Sequence, residues 1–498
     1  MEGSLLVLGT SSGAGKSTFV TGVCRWLRRQ GVAVAPFKAQ NMSLNSYVTS
    51  QHGEMGRAQV VQAQAAGVEP DVRMNPVLLK PGTDTRSQMV VMGQPVGELD
   101  AQSGWRAKGG LLDLVVEAYR DLRRDYDVVI CEGAGSPAEV NLRHSDIVNL
   151  GFARAADVPA VLLGDIDRGG VFASLVGTLA VLDGADQDVV KAFVINRFRG
   201  TPSLLSDGLV RLSEMTDRPV LGVLPMLAGR GIDEEDAIDV ASWRDGAAPI
   251  GEDVLVVGVV IFPRASNLTD LDPLLDEPGV VVRPLYRPEA MEGCDLVILP
   301  GTRATVADLD WLRSRGFDRA LAGRAARGRA IMGICGGYQM LGSKIHDDVE
   351  SAAGEVKGLG LLPVTTLFGP RKVLNQTREI LDDASVVTGY QIHHGRVSVH
   401  GGRALIGDEG CAEGAVSGTT WHGLFENDAW RRQFLEGVGR ANAKRFVASR
   451  ETCFADRREA RINAIADTVE KYVDRELLLS LICGPPGKIP RRLSLGFS

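Results

Sequence analysis

Residues 5–18 read LLVLGTSSGAGKST. A short apolar run ends in a loop rich in glycine and serine, and a helical pattern follows from Lys16. The backbone N–H groups of such a loop can cradle phosphate oxygens at a helix N-terminus, and a lysine there adds positive charge. The usual spacing G-x-x-x-x-G-K-S/T wants glycine at position 10, whereas this chain has Thr10 with Gly9 one place early. The order strand, loop, helix still predicts a nucleotide site formed by Gly13, Gly15, Lys16, Ser17 and Thr18.

Short apolar strands alternate with helical stretches along most of the chain, as at Leu5–Leu8, Val128–Cys131 and Ala160–Leu163. This alternation is typical of a doubly wound, mostly parallel sheet. The pattern lapses from Ala228 to Asp253, in acidic sequence, and then resumes. We therefore predict an α/β fold with two doubly wound domains. The predicted boundaries are a first domain at 1–235, a linker at 236–251, a second domain at 252–440 and a helical appendage at 441–498.

Composition excludes several classes of partner. A chain of 498 residues is too long for one core, and its net charge of −7 argues against nucleic-acid binding. The seven cysteines are scattered without a C-x-x-C pair, which suits a reducing cytoplasm and provides no metal framework. The sequence opens directly on a strand pattern, so we expect no signal peptide. No apolar run approaches the roughly 18 residues of a membrane helix. The sequence leaves open whether the chain forms a homo-oligomer.

Carboxylates follow two of the predicted strands. Glu132 ends the strand Val128–Cys131, and Asp165 follows Ala160–Leu163. Ligands of open α/β sheets bind in the crevice at the carboxyl ends of the strands. We therefore predict that Ser17, Glu132 and Asp165 hold Mg²⁺ beside the phosphate loop.

The segment from Pro36 to Asn45 is rich in amide and hydroxyl groups and carries one charge. Such a surface can hydrogen-bond a polar substrate that bears carboxylates and amides. The predicted substrate-binding residues are Lys38, Gln40, Asn41 and Ser43.

A second site is predicted at Cys335, which stands between Ile334 and two glycines, directly after an apolar strand. A thiol on such a strand-to-helix turn has the geometry of a nucleophile elbow. It needs a base, and His422 is the best candidate, with His393 and His394 as alternatives. The backbone N–H groups of Gly301 and Gly336 are the predicted oxyanion donors.

A cysteine hydrolase and a nucleotide–Mg²⁺ site in one chain predict a reaction in two steps. Hydrolysis of glutamine at the first site would release ammonia. At the second, ATP would activate a carboxylate as an acyl phosphate, which ammonia would then attack.

In its longest motifs the chain resembles the cobyric acid synthase family, the glutamine-dependent amidotransferases of adenosylcobalamin biosynthesis. The resemblance covers roughly residues 3–440. The segments that carry it are the phosphate loop, Pro36–Ser43, Asn75–Pro81, Glu132–Glu139, Asp165–Ala173, Asn196–Gly200, the turn at Cys335, and His422–Phe425.

The resemblance implies a dethiobiotin-synthetase-like P-loop ATPase domain followed by a class I, triad-type glutamine amidotransferase domain. It also implies sequential amidation of the b, d, e and g carboxylates of adenosylcobyrinic acid a,c-diamide, with Cys335 as nucleophile and His422 as base. Related glutaminases often carry a glutamate two residues after the histidine, where this chain has Leu424. The acid that orients His422 is therefore not identifiable from the sequence, and Glu426 is only a guess.

Two other functions compete with this interpretation. One is the a,c-diamide synthase that acts one stage earlier on the same macrocycle, against which the segments Phe37–Ser43 and Asn196–Gly200 argue. The other is an ATPase switch of the ParA/MinD type with a degenerate glutaminase domain. An intact Cys335 and His422 argue against that switch, and the resemblance leaves residues after 440 unexplained.

Overall fold

The computed structural model describes residues 1–82, 86–100, 110–227, 243, 247–382, 384–484 and 490–493. The predicted end of the first domain at residue 235 and most of the predicted linker at 236–251 lie outside these residues. Two large sheets of mostly parallel strands dominate the structure, which confirms the predicted fold class of two doubly wound α/β domains. No helix within the described ranges is both long and apolar enough to span a membrane.

The first domain alternates strands and helices. Its strands are β1 (Gly3–Gly9), β2 (Val34–Phe37), β3 (Gln40–Met42), β4 (Ser46–Val48), β5 (Glu54–Gly56), β6 (Val77–Pro81), β7 (Arg86–Val91), β8 (Gln94–Asp100), β9 (Val128–Glu132), β10 (Ala160–Asp165), β11 (Val190–Phe198) and β12 (Val220–Pro225). Its helices are α1 (Lys16–Arg29), α2 (Arg57–Ala66), α3 (Leu111–Asp125), α4 (Leu150–Ala156), α5 (Val171–Ala180), α6 (Gly184–Val189) and α7 (Ser206–Thr216).

The main sheet of this domain has the order β12-β11-β10-β1-β9-β2, and every pairing is parallel. β1 lies between β9 and β10, two strands that come much later in the chain. The loop after β1 therefore leaves the sheet where the strand order reverses, which is where open α/β sheets bind ligands.

The central strand is apolar because it is covered on both faces. Successive side chains of a strand point to opposite sides. Accordingly, Leu6 and Leu8 belong to one buried cluster, whereas Leu5 and Val7 belong to another. The sequence LLVL at the start of the phosphate-loop motif thus anchors both layers of the core.

Between β2 and α3 the chain builds a smaller layer. Strands β3, β6, β7 and β8 form a second sheet, and β4 pairs with β5 as a separate antiparallel hairpin. In this β4–β5 hairpin, Ser46 lies opposite Gly56.

The second domain repeats the α/β plan. Its strands are β13 (Leu255–Val260), β14 (Ala265–Ser266), β15 (Val280–Leu285), β16 (Leu296–Leu299), β17 (Gly301–Thr302), β18 (Ala330–Ile334), β19 (Lys344–Asp347), β20 (Gly354–Lys357), β21 (Val364–Ile380), β22 (Val386–Val399), β23 (Cys411–Glu413) and β24 (Val416–Thr419). Its helices are α8 (Asp272–Leu275), α9 (Thr305–Ser314), α10 (Phe317–Ala326), α11 (Gly336–Leu341) and α12 (Asp428–Ala441).

Its main sheet has the order β15-β13-β16-β18-β24-β23, parallel except for the last pair. β18 leads directly into α11, so Cys335 stands at the carboxyl end of an inner strand. The long antiparallel pair of β21 and β22 forms, with β19 and β20, a second sheet that faces the first domain through its contacts with β4.

The chain returns to the first domain after residue 440. Helices α13 (Phe454–Tyr472) and α14 (Arg475–Cys483) follow the second domain. Ile465 and Val469 of α13 share a buried cluster with Leu5 and Val7 of β1. Arg25 of α1 forms an ion pair with Glu459 of α13. The helices predicted as an appendage therefore complete one face of the first core.

Candidate active sites

The phosphate loop wraps around the amine of Lys16. Gly13 and Gly15 adopt positive φ angles of 69° and 100°, and the Lys16 Nζ donates to the carbonyls of Ser11 at 3.2 Å and Gly135 at 3.1 Å. A Cβ on Gly15 would lie 2.1 Å from the Asn196 Nδ2, so only glycine fits there. α1 begins at Lys16, and the first N–H groups of a helix have no acceptor within it. These N–H groups and the nearby lysine amine can together bind an anion.

The Glu132 carboxylate accepts hydrogen bonds from three side chains in three parts of the sequence. Its Oε1 accepts from Ser17 Oγ at 2.8 Å and from Lys38 Nζ at 2.9 Å, and its Oε2 accepts from Gln62 Nε2 at 2.5 Å. Burial alone would raise the pKa of Glu132, but Lys38 and these hydrogen bonds hold it below its usual value. The structure thus keeps a charged carboxylate next to the phosphate loop.

Of the residues predicted to hold Mg²⁺, the structure brings Ser17 and Glu132 together. Ser17 rather than Thr18 contacts the carboxylate, although both lie in the first turn of α1. Asp165 contacts Arg197 rather than Ser17 or Glu132: its Oδ2 lies 2.9 Å from Arg197 Nη1. Within the described part of the chain, no group of three or more His, Cys, Asp or Glu side chains is arranged to hold a metal ion.

The residues predicted to bind substrate lie in two environments. Lys38 is buried against Glu132, whereas Gln40 and Asn41 lie on β3 and Ser43 follows that strand. Asn41 Nδ2 donates to Gln59 Oε1 at 2.9 Å. Among the residues described, five amide side chains of β3 and α2 each bury one polar atom without a hydrogen-bond partner, namely Gln40, Asn41, Gln59, Gln62 and Gln64. Because buried polar atoms are normally paired, these unpaired amides indicate a place for a polar ligand.

The second site centres on a strained turn. Cys335 has φ 50° and ψ −108°, and it directly precedes α11. Left-handed backbone is costly for a residue with a Cβ, and nucleophile elbows show the same strain. The turn passes so close to β16 that a Cβ on Gly337 would lie 2.0 Å from the Leu299 carbonyl oxygen. The glycines after Cys335 therefore permit the close packing that holds the thiol at this position.

His422 connects the thiol to a carboxylate that the sequence did not reveal. The His422 Nδ1 lies 2.7 Å from the Asp270 Oδ2, while the Asp270 Oδ1 accepts from the N–H of Gly423 at 2.7 Å. The Cys335 side chain is also a hydrogen-bond partner of His422. Burial opposes a charged imidazole, but Asp270 and Cys335 raise the pKa of His422 to about 10. Asp270, His422 and Cys335 thus form a thiol–imidazole–carboxylate relay.

The two predicted oxyanion donors flank this relay. A Cβ on Gly301 would lie 3.0 Å from His422 Cε1, and one on Gly336 would lie 3.2 Å from the backbone nitrogen of Thr302. Gly336 is the first residue of α11, where backbone N–H groups have no acceptor within the helix. That the N–H groups of Gly301 and Gly336 donate to an oxyanion stays a prediction.

The guess that Glu426 orients His422 is wrong. Glu426 pairs with Arg57 of the first domain at 2.6 Å and with Arg458 at 3.0 Å. Its carboxylate is therefore engaged by two guanidinium groups, and Asp270 occupies the position behind the histidine instead.

The two histidines considered as alternative bases lie on β22. Burial lowers the pKa of His393 to about 4, so it is neutral near pH 7. His394 Nδ1 contacts the Gly369 carbonyl at 3.0 Å. The Cys335 thiol is a hydrogen-bond partner of His422, whereas the hydrogen bond of His394 goes to a backbone carbonyl and, among the described residues, neither ring nitrogen of His393 has a side-chain partner. These contacts favour His422 as the base.

Sequence reasoning missed Asp270 and Gln62. Asp270 lies in the short 3₁₀ turn Leu268–Leu271, soon after the end of β13. Glu132 is the last residue of β9, whereas Asp270 lies ten residues beyond the end of β13 and after β14, so the rule that directed attention to Glu132 did not reach Asp270. Gln62 lies within α2, and its sequence carries no signal of its role.

Two family models match the chain, one for each domain. The CobQ/CobB/MinD/ParA nucleotide binding domain matches residues 5–230, and the CobB/CobQ-like glutamine amidotransferase domain matches residues 256–430. The first match contains the phosphate loop and Glu132. The second contains Asp270, Cys335 and His422. The nucleotide-binding domain implies that the chain uses ATP.

Curated relatives match the chain over nearly its full length. The protein named cobyric acid synthase in Frankia casuarinae is 52% identical, over 98% of this chain and 99% of its own length. That of Streptomyces avermitilis is 53% identical, over 98% of both chains. Because 98% of this chain is aligned, the similarity extends beyond residue 440, where the sequence analysis placed its limit. The chain belongs to the cobyric acid synthase family of ATP- and glutamine-dependent amide ligases.

Proposed function

We propose that this chain amidates the b, d, e and g carboxylates of adenosylcobyrinic acid a,c-diamide in sequence, through acyl phosphates. The observation that carries the proposal is that one chain holds two complete sites. One is the Cys335–His422–Asp270 relay, and the other is the phosphate loop with Ser17, Lys38 and Glu132. The names of the relatives favour this function over an a,c-diamide synthase or a ParA/MinD-like switch.

At the relay, the Cys335 thiolate attacks the carboxamide carbon of glutamine. His422 gives a proton to the departing nitrogen, so that ammonia leaves and a thioester remains. The backbone N–H groups of Gly301 and Gly336 stabilise the oxyanion. Water, deprotonated by the same imidazole, then hydrolyses the thioester and returns glutamate. Asp270 keeps the imidazole oriented and stabilises its charged form.

At the phosphate loop, a substrate carboxylate attacks the γ-phosphorus of ATP, and ADP leaves. Lys16 and the loop N–H groups hold the phosphates, while Lys38 balances negative charge at the transfer. Ammonia from the first site attacks the acyl carbon, inorganic phosphate leaves and the amide forms. The unpaired amide oxygens of Gln40 and Asn41 support binding of the amide-bearing side chains of the corrinoid there.

The oxygen atoms beside the phosphate loop are also suitable ligands for Mg²⁺. A hydroxyl and a carboxylate oxygen are ligands that Mg²⁺ prefers, and Ser17 and Glu132 already lie within 2.8 Å of each other. When bound, Mg²⁺ would neutralise charge on the transferring phosphoryl group. We assign Ser17 and Glu132 to this role because they contact each other, and we give Asp165 a lesser role because it contacts Arg197 instead of this pair.

The proposed setting is the cytoplasm, with small molecules as the partners and without nucleic acid or a membrane. All seven cysteines are free thiols, which supports a reducing compartment. A homo-oligomer is compatible with this proposal.

Product analysis tests the substrate. We expect the chain, given ATP, Mg²⁺, glutamine and adenosylcobyrinic acid a,c-diamide, to yield a stepwise series of amidated corrinoids by mass spectrometry. The series should end at the fourth amide, because the proposed substrates are the four carboxylates b, d, e and g. A parallel reaction with cobyrinic acid serves as the control. Absence of any mass change with the a,c-diamide, or amidation of cobyrinic acid at a and c alone, would contradict the proposal.

Asp270→Asn tests the relay. We expect glutamine hydrolysis to slow by about 10²-fold, the usual scale for a disrupted acid–base group. Asp270 raises the pKa of His422, and the charged thiolate–imidazolium pair survives only below that pKa. Loss of the carboxylate should therefore move the basic limb of the pH–rate profile to lower pH.

The matched control is Asp310→Asn, which changes a carboxylate of the same domain whose side chain is 68% exposed. It should leave rate and profile unchanged. An unshifted basic limb in Asp270→Asn would remove Asp270 from the relay.

A further inference from the structure

The β4–β5 hairpin of the first domain touches the parts of the second domain that surround His422. It follows the segment that carries Lys38 and precedes α2, and its residues contact two supports of the histidine, Asn267 and Tyr390. Arg57, which directly follows the hairpin, pairs with Glu426 of the second domain.

The first contact leads to Asp270. The N–H of Ser46 donates to Asn267 Oδ1 at 2.9 Å, and this hydrogen bond is buried. Asn267 has a left-handed backbone, with φ 53°, and its carbonyl accepts from the N–H of Asp270 at 3.0 Å. Asn267 therefore begins the turn that presents Asp270 to His422, and the hairpin holds its side chain.

The second contact leads to the imidazole itself. The ring of Tyr47 lies 4.9 Å from the ring of Tyr390, which stacks on His422 at 5.3 Å with 25° between the planes. Tyr390 and His422 also exchange two backbone hydrogen bonds, of 3.1 and 2.8 Å. Tyr47 of the first domain thus packs against Tyr390, the ring that stacks on His422.

The third contact ties the hairpin to the nucleotide site. Arg57, the first residue of α2, pairs with Glu426 at 2.6 Å and lies 5.4 Å from the Tyr47 ring centre. Less than two turns further along α2, Gln62 donates to Glu132. One continuous segment therefore runs from the carboxylate at the phosphate loop to the supports of His422.

We propose that the first domain supplies positioning residues for the glutaminase base: Ser46 and Tyr47 hold Asn267 and Tyr390, and through them fix Asp270 and His422. This inference rests on the proposed function for the roles of Cys335 and His422. Neither Ser46 nor Tyr47 touches a reacting atom. The consequence is that glutamine is hydrolysed rapidly only while the two domains are docked, so ammonia is released where an acyl phosphate can use it.

The sharpest test removes one acceptor without straining the backbone. Asn267→Gly loses the acceptor of the Ser46 N–H, and glycine tolerates the left-handed conformation. We expect kcat for glutamine-dependent amidation to fall at least about tenfold, because small misplacements of catalytic groups are costly. KM for glutamine and the rate with free ammonium should change less than about threefold. Asn267→Asp, which keeps an acceptor oxygen, should restore the rate.

His52→Gly is the matched control. His52 also has a left-handed backbone, with φ 59°, and its Nδ1 makes an interdomain contact of 3.1 Å with the Leu374 carbonyl. That contact is made to a backbone carbonyl and involves neither Asn267 nor the Tyr390 ring, so we expect an unchanged rate. A second pair, Tyr47→Leu and Tyr47→Phe, tests the stack, and only the leucine variant should lower kcat.

The pH–rate profile separates positioning from general damage. The titratable groups that face His422 are Asp270, Cys335, His393 and Tyr390. If Asn267→Gly loosens Asp270, the basic limb should move to lower pH, whereas a smaller folded fraction would lower the rate at every pH. Unchanged kcat and profile in both Asn267→Gly and Tyr47→Leu would overturn the proposal. So would an equal loss of glutamine- and ammonium-driven activity. Cys335→Ala in the native background tests the glutaminase assignment separately.

Discussion

Cys335→Ala is expected to abolish amidation driven by glutamine while amidation driven by ammonium salts continues at its original rate. In the proposed mechanism the thiol is the nucleophile, and the thioester cannot form without it. Ammonia supplied from solution bypasses this step, because the acyl phosphate is proposed to form at the phosphate loop in the other domain. Initial rates with each nitrogen source, measured by release of ADP and by mass spectrometry of the corrinoid, test the result.

Cys483→Ala is the control for Cys335→Ala, since Cys483 is an exposed thiol near the end of α14. It should leave both activities intact. If Cys335→Ala loses both activities together although it folds normally, the assignment of separate sites is wrong.

Lys16→Ala is expected to produce the converse loss. Its amine is buried in the phosphate loop, where it contacts the Ser11 and Gly135 carbonyls, and it is the loop's own positive charge. Removing one preorganised charge at a transferring group costs about 10²–10³-fold in rate. ATP turnover with either nitrogen source should fall by that factor, while basal hydrolysis of glutamine persists.

Lys471→Ala serves as the comparison for Lys16→Ala, because Lys471 is an exposed lysine on α13, against the same domain. Its ATP turnover should match that of the native chain. Undiminished ATP turnover in Lys16→Ala would exclude the phosphate loop from the reaction.

Local patterns predicted the fold well because the motif that identifies each domain lies within one short, contiguous segment. The strand Leu5–Leu8, its glycine-rich loop and the following helix are contiguous, and so are the strand, turn and helix at Cys335. The rule that ligands bind at the carboxyl ends of parallel strands predicted that Ser17 and Glu132 lie close together, since Glu132 ends β9 and the loop before Ser17 leaves the neighbouring strand β1.

Long-range partners were beyond that reasoning. Asp270 reaches His422 across 152 positions of sequence, and Gln62 reaches Glu132 from the inner face of a helix. Glu426, the nearest carboxylate to His422 in sequence, was attractive for its proximity alone. In the structure Glu426 pairs with Arg57 of the first domain and with Arg458 of α13, so its ion pairs join the two domains.

The return of the chain to its first domain has a consequence for synthesis. Helices α13 and α14 supply Ile465, Val469 and Ile482 to a core whose other members include Leu5 and Val7. Domains generally fold as the ribosome releases them, from the N-terminus onward. Here the core of the first domain cannot be completed until the entire glutaminase domain and some forty further residues have been made. Until then the face that α13 and α14 cover stays exposed. The core beside the phosphate loop is begun first and finished last.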